Sequence, residues 1–487
     1  MYDVAIIGAG ITGCSLLYEL ARYRLRVILL EKENDVSMGT TKANSAIVHA
    51  GYDPPEGSIM ARANVMGNSI IKELCAKLDV PYKQIGSLVI AFSQEQMETV
   101  YKLYNRGVKN GVPGLKVLSK EETLRMEPAL SDEVVGALYA PTAGVVSPWE
   151  LTLALAQNAV QNGADLALSH EVRDITKSQD GFIIEAGERF IHARYVINAA
   201  GVSADKVARL AGDDSFAIHP SKGEYYLLDK NQGTLVNHVI FQCPGKEGKG
   251  VLVSPTVHGN LIVGPNAVEA DTNDVATTAQ GLSFVRATAQ KSVPSINFRE
   301  TIRTFAGVRA NSNESDFIIR ESPTQKGLFH MAGIKSPGLT AAPALAREMV
   351  ELLKEAGLTM QPKEHIITER KVTRFREMNA KQRAEAVKNN PMFGRVVCRC
   401  ETVTEAEIVE ALHSPIPPVS VDGVKRRCSC GMGRCQGGFC GPRVQEIIAR
   451  EREIPVTDVP LDRAGSAILY GETKAGLSEL TFEKAVE

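Results

Sequence analysis

The stretch Asp3-Val-Ala-Ile-Ile-Gly8-Ala-Gly10-Ile-Thr-Gly13 decides the fold of this chain. It joins an apolar run typical of a buried parallel strand to three glycines, and apolar residues at helical spacing follow from Leu16 to Ala21. Between a strand and a helix, such glycines permit a tight turn, close approach of the backbone to a pyrophosphate, and close helix–strand packing. The stretch therefore predicts a dinucleotide-binding turn, with the helix N-terminus facing the phosphates.

Glu31 lies at the end of the next predicted strand, which runs from Leu25 to Leu30. A carboxylate in this place accepts hydrogen bonds from the ribose hydroxyls of an adenine dinucleotide and repels a 2′-phosphate. The sequence thus favours FAD or NAD over NADP, and the fingerprint alone does not choose between the first two.

Further strands and helices are predicted along the first 360 residues. A helical pattern covers Leu151 to Gln161, and β-rich segments lie near Leu88–Phe92, Tyr195–Ala199, Tyr225–Leu228, Val251–Val253 and Leu261–Val263. Strands interleaved with helices predict an α/β chain with a second, mixed sheet.

Length and charge limit the classes of function. The chain has 487 residues, more than one hydrophobic core accommodates, so two or three domains are expected. Its 55 Lys and Arg residues against 57 Asp and Glu give a net charge of -2, which provides no global field to attract nucleic acid. No nucleic-acid partner is expected, and any anion must be bound by local positive charge.

The start of the chain, Met1-Tyr2-Asp3 followed by a strand, differs from a signal peptide. No run of about 18 apolar residues predicts a membrane span. We therefore expect a cytoplasmic protein with reduced thiols. Peripheral attachment to the inner face of a membrane is compatible with this expectation.

Six of the nine cysteines fall within residues 398–440. In a reducing compartment, clustered thiols indicate a metal or cluster site rather than disulfides. The segments Cys398-Arg-Cys400 and Cys435-Gln-Gly-Gly-Phe-Cys440 supply four thiolates, which suit either a [2Fe-2S] cluster or zinc. Their spacing alone does not decide between the two.

Two further segments connect the chain to a known superfamily. Gly39-Thr-Thr-Lys-Ala-Asn-Ser-Ala-Ile-Val-His49-Ala-Gly51 and Val196-Ile-Asn-Ala-Ala-Gly201, together with the N-terminal fingerprint, resemble the D-amino-acid oxidase superfamily over about residues 1–355. The resemblance implies FAD as the dinucleotide. It also implies a Rossmann-type cofactor part joined to an α+β substrate part with a mixed sheet.

The resemblance implies the following division into domains. The cofactor part would comprise about residues 1–80, 145–215 and 300–360, and the substrate part about residues 81–144 and 216–299. From about Pro362 the composition shifts to charged, apolar-poor sequence, which predicts a connector, residues 361–394, before a small helical domain and tail within residues 395–487.

The resemblance also places a set of residues against the flavin. The segment Gly333-Ile-Lys-Ser-Pro-Gly-Leu-Thr340 would lead into a helix whose N-terminus faces the pyrimidine ring, where positive potential stabilises the reduced flavin. The full set of expected cofactor contacts is Gly8, Gly10, Gly13, Glu31, Thr40, Asn44, Ser45, Val172, Ala200, Gly201, Gly333, Gly338, Leu339 and Thr340.

Two branches of the superfamily compete for the substrate assignment, the glycerol-3-phosphate dehydrogenases and the L-2-hydroxyglutarate dehydrogenases. Arg309 and Lys335 stand where the first branch places its phosphate contacts, as a planar fork and a point charge. The segments Gly223-Glu-Tyr225-Tyr226 and Asp316-Phe317 resemble the second branch more closely. Loss of the hydroxyl proton during hydride transfer needs a base within hydrogen-bond reach, and His49 and Tyr225 are both candidates.

The cysteine segment resembles the bacterioferritin-associated-ferredoxin type of [2Fe-2S] domain over about residues 395–450, through residues 397–404 and 425–440. The resemblance implies a [2Fe-2S] cluster whose ligands are Cys398, Cys400, Cys435 and Cys440. Cys428 and Cys430 depart from the family pattern and are either free thiols or alternative ligands. The nearby basic residues would place positive charge beside the cluster and so stabilise its negative charge; they are Lys425, Arg426, Arg427 and Arg434.

Together the resemblances imply an FAD-dependent dehydrogenase that oxidises a small anionic hydroxy compound, with glycerol 3-phosphate to dihydroxyacetone phosphate as the favoured reaction. Its electrons would leave through the cluster to a partner flavoprotein or a membrane-associated subunit. A direct oxidase would not need the cluster. The alternatives are oxidation of L-2-hydroxyglutarate or another 2-hydroxy acid, and an electron-transfer subunit whose substrate site is vestigial.

We predict that the purified protein carries one non-covalent FAD, because the fingerprint supports dinucleotide binding and the resemblance identifies the dinucleotide. Acid precipitation should release the yellow colour into the supernatant. Colour that stays with the pellet would instead show that His49 or another residue holds the flavin covalently.

Overall fold

The computed structural model describes residues 1–244, 250–272, 274–471 and 473. Its contacts divide the chain into two compact units, Met1–Val372 and a second unit that begins at Thr373. The strands, in chain order, are β1 Tyr2–Ile7, β2 Val27–Leu30, β3 Ile47–Val48, β4 Tyr82–Gln84, β5 Ser87–Ala91, β6 Lys116–Ser119, β7 Gly136–Ala140, β8 Gly144–Val146, β9 Asp165–Ala167, β10 Val172–Ser178, β11 Gly181–Ala186, β12 Arg189–Asn198, β13 Ile218–Leu228, β14 Val239–Gln242, β15 Leu252–Pro255, β16 Leu261–Gly264, β17 Val268–Glu269, β18 Thr301–Ser312, β19 Ile318–Glu321, β20 Leu328–Ala332, β21 Val396–Cys398 and β22 Val403–Thr404.

The helices alternate with these strands through much of the chain. The α-helices are α1 Ile11–Leu20, α2 Ile59–Lys77, α3 Gln94–Lys109, α4 Lys120–Met126, α5 Pro148–Gln161, α6 Ala204–Leu210, α7 Ala279–Ser292, α8 Gly338–Glu355, α9 Ala380–Asn389, α10 Glu405–Leu412, α11 Val421–Cys428 and α12 Gly441–Arg452. Short 3₁₀ helices are Thr40–Lys42, Gly201–Ser203, Lys230–Gln232, Phe298–Glu300, Phe375–Glu377, Pro391–Gly394 and Val456–Asp458.

The first sheet is the Rossmann-type sheet that the opening stretch predicts. Its order is β10-β11-β12-β1-β2-β9, with β20 beside β12 and β19 beside β20. Strand β1 runs parallel to both β2 and β12, and β12 runs parallel to β20. Val4, Ala5 and Ile6 are fully buried, as expected for a parallel strand covered on both faces. Helix α1 packs against α5 and α8.

The second sheet is mixed and has the order β17-β13-β16-β15-β14-β5-β7-β6, with β18 also paired to β13. Strands β13 and β18 run antiparallel and place Ser221 opposite Arg309 and Tyr225 opposite Phe305. Strand β18 therefore lies in the second sheet, whereas residues 300–360 were expected to belong to the cofactor part. A small third sheet has the order β3-β8-β4.

Residues 361–394, the expected connector, are divided between the two units. In the first unit the Lys363 amide donates to the carbonyl of Arg22, and the Val372 amide donates to the carboxylate of Asp79. In the second, the Phe375 amide donates to Glu407 Oε1, 3.0 Å away, and Phe375 stacks on Phe393. The segment is thus packed at both of its ends.

The second unit is small and mainly helical. Strands β21 and β22 form a two-stranded sheet, and helix α10 packs against α11 and α12 around a core that includes Ile408, Val424 and Ile448. A capping box fixes the start of α10, because Thr404 Oγ1 accepts from the Glu407 amide and the Glu407 carboxylate accepts from the Thr404 amide. In the described part of the chain, no helix is both long and apolar enough to span a membrane.

A buried polar network joins the loop after α6 to β20. Asp213 is fully buried, and its Oδ2 accepts hydrogen bonds from Ser322 Oγ at 2.5 Å and from His330 Nε2 at 2.8 Å. Its Oδ1 accepts from the Ser215 amide at 2.8 Å. Burial acts to raise the pKa of Asp213, but the hydrogen bonds from Ser322 and Ser215 outweigh it and lower the pKa to about 2.

We predict that Asp213→Asn lowers the free energy of unfolding by about 1–3 kcal/mol, because one carboxylate oxygen becomes an amide donor that faces another donor. The loss should be present at neutral pH, down to about pH 4, and should shrink as the pH falls toward 2, where the wild-type carboxylate takes up its proton. Urea unfolding measured across this pH range tests it. Asp214→Asn is the matched control because Asp214 is exposed, and equal losses in both variants would contradict the prediction.

Candidate active site and cluster site

The glycine turn after β1 is shaped for a pyrophosphate. Gly8 has φ +105°, and a Cβ on Gly13 would collide with the carbonyl oxygen of Gly8. A Cβ on Gly10 would come within 3.3 Å of Thr41 Oγ1, the atom that accepts a hydrogen bond from the Ile11 amide. Only a hydrogen side chain fits at Gly8 and Gly13, and a Cβ at Gly10 would press on Thr41 Oγ1, so the turn fits the phosphates of FAD.

Glu31 holds the same turn from the end of β2. Its Oε2 accepts from the Ala9 amide at 2.7 Å, and its Oε1 accepts from the Glu33 amide at 2.9 Å. Burial raises the pKa of Glu31, while these backbone hydrogen bonds act in the opposite direction. A carboxylate has about four acceptor positions, so Glu31 can fix the turn and still receive ribose hydroxyls.

Ala200 and Gly201 lie next to the turn, while Val172 lies elsewhere in the same sheet. The Ala199 amide donates to the carbonyl of Ile7, and Ala200 Cα would stand 3.1 Å from a Cβ on Gly8. Gly201 has φ +57° and begins a 3₁₀ helix. Val172 begins β10 and packs against the apolar core of the first sheet.

The loop of residues 39–46, which we call the flavin loop, is fastened to β18. Asn44 Nδ2 donates to the carbonyls of Thr40 and Thr41, and Asn44 Oδ1 accepts from the Ala46 amide. Thr40 Oγ1 donates to the carbonyl of Val308 at 2.6 Å. Thr40 and Asn44 therefore shape the loop through its own backbone and through β18.

Two glycines in the second sheet leave room for neighbouring groups to lie close to its strands. A Cβ on Gly307 would collide with the carbonyl oxygen of Ala43 in the flavin loop. A Cβ on Gly223 would collide with the Arg309 guanidinium. No role for Gly307 was expected from the sequence, although an isolated glycine inside a strand pattern is a signal of close backbone approach.

The segment of residues 333–340 leads into α8 as expected. Gly333 has φ +64°, and α8 begins at Gly338, followed by the partly buried Leu339. Thr340 Oγ1 accepts from the His49 amide at 2.9 Å, which joins the first turn of α8 to the end of β3, the strand that follows the flavin loop. The helix is 18 residues long, so its first turn carries a positive potential.

Tyr225 and Arg309 meet on one face of the β13–β18 ladder. Tyr225 is buried, stacks on Phe305 with ring centroids 4.8 Å apart, and its hydroxyl lies 3.2 Å from Ser45 Oγ. Burial raises the pKa of Tyr225, and the nearby Arg309 acts against this. Arg309 Nη2 donates to the carbonyl of Asn266 at 3.1 Å. Its Nη1 is buried and has no hydrogen-bond partner among the described residues.

His49 borders the same apolar cluster from another direction. Its ring stacks on Phe241 with centroids 5.8 Å apart, and Phe241 packs with Tyr225 and Phe305 in one cluster. His49 Nε2 lies 3.4 Å from Ser336 Oγ. Lys335 precedes Ser336, is partly buried, and its ammonium has no ion-pair or hydrogen-bond partner in the part of the chain that the structure describes.

In the second unit, Cys400 and Cys435 form a pair of thiols near the surface. Their sulfurs lie 3.7 Å apart, Cys400 is exposed and Cys435 is half-buried. Two thiolates on one tetrahedral metal ion, each at about 2.3 Å, lie about 3.8 Å apart. A Cβ on Gly433 would collide with the side chain of Cys400, so this glycine lets the two cysteine loops close.

Three further thiols lie together in the interior. The sulfurs of Cys398, Cys430 and Cys440 are within 4.8 Å of one another, and all three residues are buried. The thiols of Cys430 and Cys440 donate to the Cys398 sulfur and hold the pKa of Cys398 well below its usual range. The four expected ligands are thus brought together, and Cys430 joins them.

Cys428 and two of the neighbouring basic residues have structural partners. Cys428 Sγ donates to the carbonyl of Val424 at 3.4 Å, and burial raises the pKa of this thiol to about 12. Arg427 is buried, and its guanidinium donates to the carbonyl of Ile416. Arg426 pairs with Asp462 at 2.7 Å. Both guanidinium groups therefore help to hold the fold of the second unit.

Two protein families match separate parts of the chain. The FAD dependent oxidoreductase family matches residues 3–352, and the BFD-like [2Fe-2S] binding domain matches residues 396–450. The chain belongs to the FAD-dependent oxidoreductase family and carries this [2Fe-2S] domain after it. Its cofactors are FAD and a [2Fe-2S] cluster, so the expected fold class and both expected cofactors are confirmed.

The chain is similar to glycerol 3-phosphate dehydrogenase of Caloramator mitchellensis, with 49% identity over 477 residues that cover 98% of this chain and 99% of the relative. It is 29% identical over 406 residues to mitochondrial L-2-hydroxyglutarate dehydrogenase of Homo sapiens, covering 71% of this chain and 87% of that protein. The dithionite-reduced structure of L-alpha-glycerophosphate oxidase from Mycoplasma pneumoniae with FAD bound superimposes with a TM-score of 0.73 at 33% identity, covering 76% of this chain and 99% of that one.

We predict that Gly307→Ala weakens FAD binding by about tenfold or more, because the added methyl group pushes the flavin loop away from β18 and such overpacking costs about 1–3 kcal/mol. FAD titration into deflavinated protein, followed by flavin fluorescence, measures the change. Gly471→Ala is the control because a Cβ at this exposed glycine meets nothing within 4 Å. Unchanged affinity in the Gly307 variant would contradict the packing argument.

Proposed function

We propose that this protein oxidises sn-glycerol 3-phosphate to dihydroxyacetone phosphate and passes the electrons through its [2Fe-2S] cluster to a partner protein. The full-length similarity to a glycerol 3-phosphate dehydrogenase supports the substrate, since 98% of this chain is covered. The additional BFD-like domain supports electron delivery to a partner.

The unpaired, buried Nη1 of Arg309 is the observation that carries the proposal. A buried guanidinium nitrogen without a partner costs free energy unless a ligand completes its hydrogen bonds. An oxyanion of phosphate or carboxylate supplies such an acceptor, and the planar fork can grip two oxygens. We assign Lys335 as a second contact to the same anion, since its ammonium likewise has no hydrogen-bond or ion-pair partner among the described residues.

We assign His49 as the base that receives the hydroxyl proton of the substrate. The raised pKa of Tyr225 favours its neutral form, which suits a hydrogen-bond donor better than a base. Ser45 Oγ, 3.2 Å away, orients the Tyr225 hydroxyl, and the Phe241 ring supports the imidazole of His49. The two residues thus divide proton removal and substrate orientation.

FAD, when bound, supplies the acceptor for the hydride that leaves the carbon of the substrate. The glycine turn and Glu31 would hold its phosphates and ribose, and the first turn of α8 would stabilise negative charge on the reduced ring. Cys398, Cys400, Cys435 and Cys440 would hold the cluster, which accepts electrons one at a time. The electron acceptor is a separate protein, either a flavoprotein or a membrane-associated subunit.

L-2-Hydroxyglutarate is the second candidate substrate, because the same arginine fork can bind a carboxylate and a relative of that activity is 29% identical to this chain. An anaerobic titration of flavin absorbance with each compound separates the two. Bleaching by glycerol 3-phosphate at the lower concentration supports our proposal. Bleaching by the hydroxy acid alone overturns the substrate, and no bleaching by any small hydroxy or amino acid favours a vestigial site.

We predict that Arg309→Ala and Lys335→Ala each lower kcat/KM for glycerol 3-phosphate by at least about tenfold, since a lost charged hydrogen bond costs about 1.5–3 kcal/mol. Flavin content should stay unchanged. Steady-state assays with an artificial acceptor measure the effect.

The matched control is Arg303→Ala, because Arg303 lies on the same strand and is exposed. Its kinetics should equal those of the wild type. If the Arg309 and Lys335 variants also match the wild type, neither charge belongs to the anion site.

A further inference from the structure

Five thiols, one more than a [2Fe-2S] cluster uses, converge in the second unit. Cys400 and Cys435 form the outer pair, with sulfurs 3.7 Å apart. Cys398, Cys430 and Cys440 form the inner trio, with sulfurs within 4.8 Å of one another. A [2Fe-2S] cluster takes two protein ligands on each iron. The outer pair would supply the two ligands of one iron, and the inner trio has one thiol more than the other iron needs.

Cys430 reaches the inner trio because of the turn that follows α11. Ser429 ends this helix in a left-handed conformation with φ 63°, and Gly431 continues the turn with φ +89°. Cys430 between them is only 3% exposed, and its side chain packs in the core with Cys398 and Cys440. Its sulfur is therefore held where the two inner ligands are.

We propose that Cys430 is a reserve ligand of the cluster. It could take the place of either Cys398 or Cys440 on the inner iron: the sulfur–iron bond of Cys430 would form as that of the displaced cysteine breaks, and the thiol proton of Cys430 would pass to the displaced sulfur. The outer pair lacks such a reserve, because no third thiol of the described residues groups with Cys400 and Cys435 as Cys430 does with the inner ligands. Loss of an inner ligand is thus tolerated, and loss of an outer ligand is not.

Cys428 provides an internal comparison two residues away. Its thiol donates a hydrogen bond to the carbonyl of Val424 in its own helix, and its sulfur is not part of the inner trio. If any sulfur near the cluster could stabilise it, Cys428 and Cys430 would both help to keep the cluster in a protein that lacks Cys440. A reserve ligand involves Cys430 alone.

The test uses the full chain with alanine variants, because serine would bring in an oxygen ligand of its own. Each variant is reconstituted anaerobically with ferrous iron and sulfide, and iron and acid-labile sulfide are measured per FAD, together with EPR of the dithionite-reduced protein. Cys440→Ala and Cys398→Ala should each retain most of the cluster with shifted g values. Cys435→Ala should lose it.

The double variants decide the role of Cys430. Cys430→Ala/Cys440→Ala should lose the cluster, Cys428→Ala/Cys440→Ala should resemble Cys440→Ala, and Cys430→Ala by itself should resemble the wild type. The proposal is overturned if both Cys398→Ala and Cys440→Ala are as empty as Cys435→Ala, or if removing Cys430 as well changes nothing. Bleaching of FAD by glycerol 3-phosphate, measured in the same samples, reports the proposed function separately.

Discussion

Backbone contacts that only glycine permits hold the cofactor region together. Gly13 lets α1 lie against the turn after β1, Gly67 lets α2 lie against the first turn of α8, and Gly307 lets β18 lie against the flavin loop. In each case a Cβ would collide with a carbonyl oxygen. The first contact is local, whereas the other two bring together the main chains of segments far apart in the sequence, and the shape of the site depends on all three.

The first sheet could be predicted from the sequence because its signals are local. A buried strand, a glycine turn and a helix with apolar residues at helical spacing follow one another within the first 21 residues, and α1 and β2 lie close to where they were expected. The long strand β18 was not assigned, since its alternation of polar and apolar residues is weak and its partner β13 lies some 80 residues earlier. The pairing of β18 with β13 brings Arg309 beside Tyr225, so the proximity of these two side chains could not be predicted from the sequence.

The residue types in the sequence predicted the two cofactors, but which side chains and amides lie next to each other depends on the fold. The four expected cysteines do converge, yet the spacing could not show that a turn after α11 directs Cys430 toward the same point. Glu31 was expected to face the ribose, and its bonds to the Ala9 and Glu33 amides could not be read from spacing. Such bonds arise from backbone geometry, for which the sequence holds only indirect signals.

The two sides of the cysteine site differ in their contact with water. Cys400 is exposed, while Cys398 and Cys440 are buried. Because oxidation of a thiolate follows its accessibility, damage by peroxide or oxygen begins at the outer pair. The three inner sulfurs are shielded from the same oxidants, because Cys398, Cys430 and Cys440 are all buried.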